Sequence, residues 1–336
     1  MVFIPVHKRE SIGKSIHETL VMKKKRLKHE EEKINKVDSS LNLIRKEIEK
    51  EKVESEYLSP EIKNWVETEA VKELKERVKK WLFLKYPVHI IGPTGCGKTL
   101  LSLQIAKEFG RPVVWINGDE SVTTTDLIGG YSQVETTSIR DKYIHNVYKD
   151  KDILKADWVG NPLTFACKYG YTLIYNEFSR SKPAANNVLL SIFSEGILEL
   201  PTQFGEERYV KVHPDFRVIF TSNPIEYAGI HRPQDALLDR MISIFMDHYN
   251  KETEKKIIMA QSKIKEKDAE MIVELIRKLR AKLPETKEIG LRPGIMLAQA
   301  LEQNKNINKA TIKQLLPDIL NSKIRYMKDS NKKWKL

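Results

Sequence analysis

Cysteine and long apolar runs are both scarce in this 336-residue sequence, and each scarcity excludes a class of protein. The two cysteines, Cys96 and Cys167, cannot build a disulfide framework, and a zinc site would need more ligands. No apolar run approaches the roughly 20 residues of a membrane span. The apolar stretch at Met1–Val6 is too short for a secretory signal. The sequence therefore predicts a soluble, cytoplasmic protein that does not enter a membrane.

Positive charge is in excess, with 58 Lys and Arg against 46 Asp and Glu and a formal net charge of +12. Such an excess is typical of proteins that bind nucleic acid or another anionic surface. The excess is local, however, because residues 1–57 carry +3, residues 58–250 carry −1 and residues 251–336 carry +10. Since the central region is neutral, we do not expect nucleic acid as a partner. The basic C-terminal region is suited to phosphate or to an acidic partner.

The first 57 residues have the pattern of a charged helical arm. Apolar residues recur every seven positions, at Leu20, Leu27, Ile34, Leu41 and Ile48. This is the spacing of a coiled-coil seam, but two of the intervening seam positions are Lys23 and Glu30. The pattern leaves two interpretations open, an amphipathic helix docked on a domain and a possible coiled coil, and it favours the first.

Short apolar, β-rich runs alternate with helical patterns in the central region. The candidate strands are residues 87–91, 112–116, 171–175, 216–220 and 242–246, and the candidate helices are residues 99–109, 163–169 and 183–195. Strands separated by helices predict an α/β fold with a mostly parallel sheet flanked by helices. The stretches 118–150 and 198–214 interrupt the alternation, and each is typical of an insertion that carries a hairpin. Residues 251–336 have helical patterns and predict a helical lid and tail.

A glycine-rich loop follows the first candidate strand and fits the phosphate-binding pattern G-x-x-x-x-G-K-[ST]. The loop and the residue after it are Gly92, Pro93, Thr94, Gly95, Cys96, Gly97, Lys98, Thr99 and Leu100. Glycines let successive backbone N–H groups turn inward around a phosphate, and the N-terminus of the next helix adds positive potential there. In this pattern Lys98 contacts the β- and γ-phosphates and the Thr99 hydroxyl ligates Mg²⁺. We therefore expect ATP and Mg²⁺ as cofactors.

A second motif is the apolar run 172–175, which is followed by Asn176 and Glu177. A P-loop ATPase needs an acid that polarises the attacking water, and we assign this catalytic role to Glu177, although an ordinary surface acid after a strand is the alternative. The residue before it is usually Asp. Asn176 accepts a hydrogen bond from a magnesium-bound water but supplies no charge. We therefore predict that Asn176 contacts Mg²⁺ through water and binds it more weakly.

Three further residues are candidates for contacts near the γ-phosphate. Asn223 follows a strand and is placed to position water, although Asn-Pro is also an ordinary turn. Arg240 either pairs with Asp235 or Asp239, or reaches the γ-phosphate of a neighbouring subunit as an arginine finger. Arg292 either contacts phosphate within its own subunit or is a solvated arginine at a helix start.

Taken in order, these motifs resemble the AAA+ ATPase core, with Walker A at 92–99, Walker B at 172–177, sensor 1 at Asn223, an arginine finger at Arg240 and sensor 2 at Arg292. The two insertions are similar to those of the MoxR-type branch. Several segments resemble the GvpN family of gas-vesicle proteins: YPVH at 86–89, YIHN at 143–146, WVGNPLT at 158–164, NEFSRS at 176–181, ANNVLLS at 185–191 and FTSNPIEYAG at 220–229. The resemblance covers about residues 60–305, whereas the first 55 residues match nothing expected of that family.

The resemblance implies an ATP-hydrolysing, chaperone-like factor for gas vesicle assembly. It implies a homo-oligomer, in the form of a hexameric ring, that acts on other gas vesicle proteins and is associated with gas vesicles in the cytoplasm. Together with the charge blocks and the heptad spacing, the motifs predict three parts: a charged helical arm at 1–57, an AAA+ α/β ATPase domain at 58–250 and a basic helical lid and tail at 251–336.

Two departures from the family pattern leave alternatives open. Asn176 stands where many members have Asp, and Ala184 where many have Glu. The first puts Mg²⁺ affinity and turnover in doubt, and the second removes only a small interaction with a helix dipole. The alternatives are a MoxR-type chaperone for an unrelated enzyme or metal centre, a nucleic-acid motor, and a nucleotide-gated assembly scaffold with little turnover.

Overall fold

The computed structural model describes residues 62, 64–143, 147–201, 208–223, 231–282, 289–304 and 309–325. All of them lie in the second of the two units into which the chain divides, Tyr57–Leu336. The helical arm predicted for residues 1–57 and the end of the basic tail, residues 326–336, lie outside the described residues. The expectations about these two segments stay predictions.

A five-stranded sheet forms the centre of this unit. Its strands are β1 Val88–Ile91, β2 Val113–Asn117, β5 Thr172–Asn176, β8 Arg217–Ser222 and β9 Ile242–Phe245. They lie in the order β2-β5-β8-β1-β9, and each neighbouring pair is parallel. The inner strands are runs of buried apolar residues, such as Val88 and Ile90, as expected for strands with both faces covered. The predicted parallel α/β fold is confirmed.

Five helices accompany the sheet: α1 Glu69–Phe83, α2 Lys98–Glu108, α4 Pro162–Tyr169, α5 Val188–Glu195 and α6 Asp235–Leu238. The longest of these, α1, has no counterpart among the predicted elements. Its buried residues, Val71, Lys75, Val78 and Leu82, follow the spacing of one helix face. Lys75 interrupts the apolar pattern because its ammonium pairs with Glu108 of α2 at 2.9 Å. The apolar spacing of this helix is present in the sequence, whereas the partner of its buried Lys75 is set by the fold.

Two hairpins project from this arrangement, as the insertions at 118–150 and 198–214 predict. The first follows helix α3 Thr124–Ile128 and pairs β3 Gly129–Tyr143 with β4 Val147–Gly160. Its second strand therefore continues past the predicted end of the insertion. The smaller hairpin pairs β6 Ile197–Glu199 with β7 Tyr209–Lys211.

The helical region consists of α7 Lys251–Gln261, α8 Glu266–Ala281, α9 Arg292–Asn304 and α10 Lys309–Arg325. These helices pack around an apolar cluster of their own that includes Ile258, Ile272 and Leu297. Acidic side chains of α7 and α8 are largely paired with basic ones, for example Lys251 with Glu270 at 2.7 Å. Within the described ranges, the helices are all too short or too polar to cross a membrane.

Candidate functional site

The glycine-rich loop joins the end of β1 to the start of α2 at the carboxyl edge of the sheet. Gly95 and Gly97 have left-handed backbone conformations, with φ of +81° and +102°, which glycine adopts without steric cost. A Cβ on Gly92 would overlap the carbonyl oxygen of Met246, so this position also requires glycine. Burial raises the pKa of the Cys96 thiol, so Cys96 fills the loop as an unreactive side chain.

Lys98 is the first residue of α2, and its side chain turns back into the loop. Its Nζ donates hydrogen bonds to the carbonyl oxygens of Gly92 at 2.7 Å and Pro93 at 2.9 Å, and to Oδ1 of Asn223 at 2.9 Å. The residue is only 6% exposed, and desolvation lowers the pKa of its ammonium, an effect that the charge of Glu177 opposes. The hydrogen bonds of this buried ammonium go to uncharged oxygens. An anionic phosphate is therefore a stronger acceptor than those it now has.

Asn176 is the last residue of β5 and lies beside the loop. Its Oδ1 accepts hydrogen bonds from Oγ1 of Thr99 at 2.8 Å and from Oγ1 of Thr221 at 2.7 Å. Its Nδ2 donates to Oδ1 of Asn117 at 3.2 Å, so the amide oxygen is the atom that faces Thr99. Hydroxyl and amide oxygens are hard oxygen donors of the kind that Mg²⁺ accepts beside carboxylates, phosphates and water. The two residues predicted to contact Mg²⁺ thus present suitable atoms side by side.

Glu177 follows β5 in a left-handed conformation, with φ of +53°. This conformation is uncommon for residues with a side chain and is concentrated at functional sites. A Cβ on Gly118 would overlap the carbonyl oxygen of Glu177, so the end of β2 holds this backbone closely. Oε2 of Glu177 accepts a hydrogen bond from Nδ2 of Asn223 at 3.2 Å and lies 3.4 Å from Nε of Arg180. Asn223 therefore bridges Lys98 and Glu177.

A cavity of about 660 Å³ runs along the loop, which is within the usual size of ligand pockets. Its lining includes these predicted residues: Thr94, Gly95, Cys96, Gly97, Lys98, Thr99, Leu100, Asn176, Glu177, Asn223 and Arg292. Gly92 and Pro93 are outside the lining, but their carbonyl oxygens hold Lys98. The sheet therefore brings together most of the residues that the motifs single out, and Arg292, at the start of α9, lines the same cavity.

The cavity is also lined by residues that no motif singled out. They are Asn64, Trp65, Val66, Tyr249, Ile257 and Ile295, among others. They come from the segment before α1, from the connection between β9 and α7, and from α7 and α9. No motif marks these positions, because each is an ordinary apolar or polar residue within its own segment. Only the packing of the lid against the sheet domain joins them into one wall.

Arg240 does not line this cavity. Its side chain is exposed, and it donates from Nε to Oγ of Ser194 and from Nη1 to the carbonyl oxygen of Ala236, both at 2.6 Å. Asp235, one of the two carboxylates considered as its partner, pairs instead with Arg232 at 2.9 Å. The structure therefore separates Arg240 from the other predicted site residues of its own chain.

A glycine-rich loop after an inner strand of a parallel sheet, with an acid and an amide at the ends of neighbouring strands, defines a P-loop ATPase of the AAA+ class. Consistent with this, the family model described as AAA domain (dynein-related subfamily) matches residues 87–241. Gas vesicle ATPase GvpN of Haloferax mediterranei is 52% identical over 271 residues, which are 80% of this chain and 78% of that protein. The chain belongs to the gas vesicle ATPase GvpN family, and it is an ATP-binding AAA+ ATPase.

More distant proteins are also similar to this chain. Gas vesicle ATPase GvpN of Ancylobacter aquaticus is 42% identical over 263 residues, 77% of this chain and 74% of that protein. Among solved structures, a mutant of RuvB from Thermotoga maritima covers 79% of this chain and 71% of its own, with 18% identity and a TM-score of 0.46. The identities to the two GvpN proteins confirm the family resemblance stated from the motifs and the predicted ATPase activity.

Proposed function

We propose that this ATPase is a chaperone-like factor that acts on other gas vesicle proteins during gas vesicle assembly. We further propose that it works in the cytoplasm, in association with gas vesicles, as a homo-oligomeric ring of six subunits. The observation that carries the gas vesicle role is 52% identity to a gas vesicle ATPase over 80% of the chain. The assembled phosphate loop, acid and amide support ATP turnover as the source of energy. This identity favours a gas vesicle client over an unrelated enzyme or metal centre.

In this proposal the phosphates of ATP lie in the glycine-rich loop. The adenine ring lies in the part of the cavity that Trp65 and Tyr249 line. Backbone N–H groups and the N-terminus of α2 hold the phosphates. Lys98 exchanges its present acceptors for β- and γ-phosphate oxygens. Thr99 and Asn176 are the residues that would hold Mg²⁺, which neutralises phosphate charge when bound.

Glu177 is the residue we assign to polarise the attacking water. Its carboxylate and the amide of Asn223 both line the cavity beside Lys98, and their 3.2 Å hydrogen bond keeps the two side chains together. Asn223 would then orient Glu177 and the water. Arg292 lines the same cavity from the start of α9, so its proposed role is a phosphate contact from the lid of its own subunit.

Asn176→Asp is expected to lower the Mg²⁺ concentration that gives half-maximal ATPase rate by about fivefold to tenfold. The reason is that a carboxylate accepts hydrogen bonds from magnesium-bound water more strongly than an amide. The measurement is a Mg²⁺ titration of the steady-state rate at saturating ATP. Asn187→Asp is the matched control, because it makes the same amide-to-carboxylate change at an exposed residue that does not line the cavity. An unchanged half-saturation point in Asn176→Asp would contradict the proposed role of this residue.

Arg240→Ala is expected to reduce the ATPase rate by about 1,000-fold, since an arginine finger contributes roughly 10³–10⁵ in rate. The exposure of Arg240 and its separation from its own cavity favour action on the neighbouring subunit's nucleotide. Mixing Arg240→Ala subunits with Lys98→Ala subunits should therefore restore part of the activity, because some interfaces then combine an intact Lys98 with an intact Arg240.

The mixing experiment has a matched control in Arg232→Ala, which removes another exposed arginine from the same region. Alone, this variant should keep a rate near that of the wild type. If the mixture of Arg240→Ala and Lys98→Ala recovers no activity at any ratio, the proposed action across a subunit interface is wrong.

The gas vesicle role is tested in a host that makes gas vesicles with this gene. Deleting the gene should abolish the vesicles, and the wild-type gene should restore them, whereas a Lys98→Ala gene expressed at the same level should not. Electron microscopy of the cells and their flotation provide the readouts. Normal vesicles in the deletion strain would refute the role, and full rescue by Lys98→Ala would refute its dependence on ATP.

A further inference from the structure

The segment that precedes α9 lies directly on the phosphate-binding loop. The N–H of Leu291 donates to the carbonyl oxygen of Gly95 at 3.2 Å. At Gly290 the two backbones touch, since a Cβ there would overlap the carbonyl oxygen of Thr94 and lie 2.7 Å from Cα of Gly95. A Cβ on Gly95 would in turn lie 3.2 Å from Cα of Gly290. The lid therefore contacts the phosphate loop through main chain on both sides.

Arg280 holds this segment from the lid side. It lies in the last turn of α8, and its Nε donates to the carbonyl oxygen of Ile289 at 2.8 Å. Its Nη1 lies 2.9 Å from Oε1 of Glu254 on α7, with side chains 12% and 2% exposed. A guanidinium is a planar fork that fixes two partners relative to one another. The ion pair with Glu254 and the hydrogen bond to Ile289 therefore link α7 and α8 to the residue that precedes Gly290.

We infer that Arg280 is a positioning residue for the phosphate loop, acting through residues 289–291 on the backbone of Gly95. This inference rests on the proposal that the cavity holds ATP with its phosphates in that loop. Gly95 has a left-handed φ of +81°. Without the contact from Gly290 and Leu291, a glycine at this position could adopt many other backbone conformations. The contact with Gly290 and Leu291 orders this backbone before a phosphate arrives. Without the contact, the nucleotide must order the loop itself and binds more weakly.

The test compares ADP with AMP, because ADP places a β-phosphate in the loop and AMP does not. In Arg280→Met, which keeps the length of the side chain but removes its donors, we expect ADP affinity to fall about tenfold. That corresponds to ordering roughly one backbone residue. AMP affinity should stay within about twofold of the wild type, because AMP has no β-phosphate for the loop to hold. A general loosening of the lid would instead weaken the binding of both nucleotides alike. Isothermal titration calorimetry on the full chain gives both affinities.

Two further variants make the comparison specific. Arg280→Lys keeps a positive charge beside Glu254 but lacks the fork, so the ratio of ADP to AMP affinity should fall here too. This variant decides the question if Arg280→Met does not fold. Arg277→Met is the matched control, because Arg277 also pairs with Glu254, at 3.1 Å, but its other hydrogen bond goes to the carbonyl oxygen of Tyr249. Its affinity ratio should match that of the wild type.

Different results would refute the positioning role of Arg280 and the placement of the phosphates in the loop. An unchanged affinity ratio in the Arg280 variants, or an equal change in Arg277→Met, would overturn the positioning role of Arg280 and leave the nucleotide site standing. Equal losses for ADP and AMP would also overturn it, since they would indicate general damage to the lid. If the wild-type protein binds ADP no more tightly than AMP, the placement of phosphates in the loop is itself wrong, and the inference fails with it.

Discussion

Lys98→Ala is expected to lose nucleotide binding, with ATP affinity falling by about 100-fold or more. Hydrogen bonds to charged groups contribute roughly 1.5–3 kcal/mol each, and Lys98 is the buried cation at the base of the phosphate loop. The fold should persist, because alanine is a good helix former at the start of α2. The three oxygens that lose their donor can accept hydrogen bonds from water in the cavity. Fluorescence titration with a labelled ATP analogue measures the affinity, and thermal denaturation checks the fold.

Lys107→Ala is the matched control for this experiment, since Lys107 lies in the last turn of the same helix and outside the cavity lining. Its nucleotide affinity should equal that of the wild type. Wild-type affinity in Lys98→Ala would contradict the assignment of the loop as the phosphate site. Loss of affinity together with loss of the thermal transition would instead make Lys98 a structural residue.

Glu177→Gln is expected to keep ATP binding and to slow turnover by about 10²–10⁴, the usual contribution of a positioned acid–base group. The substitution removes the charge that polarises water but keeps an oxygen that accepts the hydrogen bond from Asn223. Because the phosphate loop is untouched, affinity should change little. Single-turnover phosphate release separates chemistry from binding, and the labelled analogue gives the affinity.

The control for this variant is Glu120→Gln, which neutralises an exposed carboxylate that is 65% accessible and lies near His231. It should hydrolyse ATP at the wild-type rate. Normal hydrolysis in Glu177→Gln would show that another group activates the water. A parallel loss of ATP affinity would assign Glu177 to binding rather than to catalysis.

Several basic residues of the helical region form ion pairs within the lid. Acids on α7 and α8 are taken up by nearby bases: Lys251 pairs with Glu270 and Lys255 with Glu266. Glu254 is enclosed by Arg277 and Arg280. Some of the basic residues of this region therefore hold the lid together, and Arg280 also contacts the segment beside the phosphate loop. Each such pair offsets one acid, so the net excess of +10 over residues 251–336 belongs to the remaining basic residues.

The sequence alone determined the phosphate loop, the parallel sheet and the family. The phosphate loop could be predicted because its strand, its glycines, Lys98 and the following helix are consecutive in the sequence. Local backbone preferences are therefore enough to specify it. The sheet could be read because buried parallel strands are continuous apolar runs between helices. Helix α1 was not among the predicted elements, although Val71, Val78 and Leu82 mark one face of it, and the partner of its buried Lys75 lies on another helix.

Only the tertiary structure decided which distant residues meet. The hydrogen bond from Lys98 to Asn223 joins residues 125 positions apart, and the contact of Gly95 with Gly290 joins sheet domain and lid. The wall that includes Trp65 and Tyr249, and the separation of Arg240 from its own cavity, likewise follow from packing. Local periodicity records which face of an element is buried. It does not record what covers that face, because the covering residues belong to other elements whose approach is set by the whole fold.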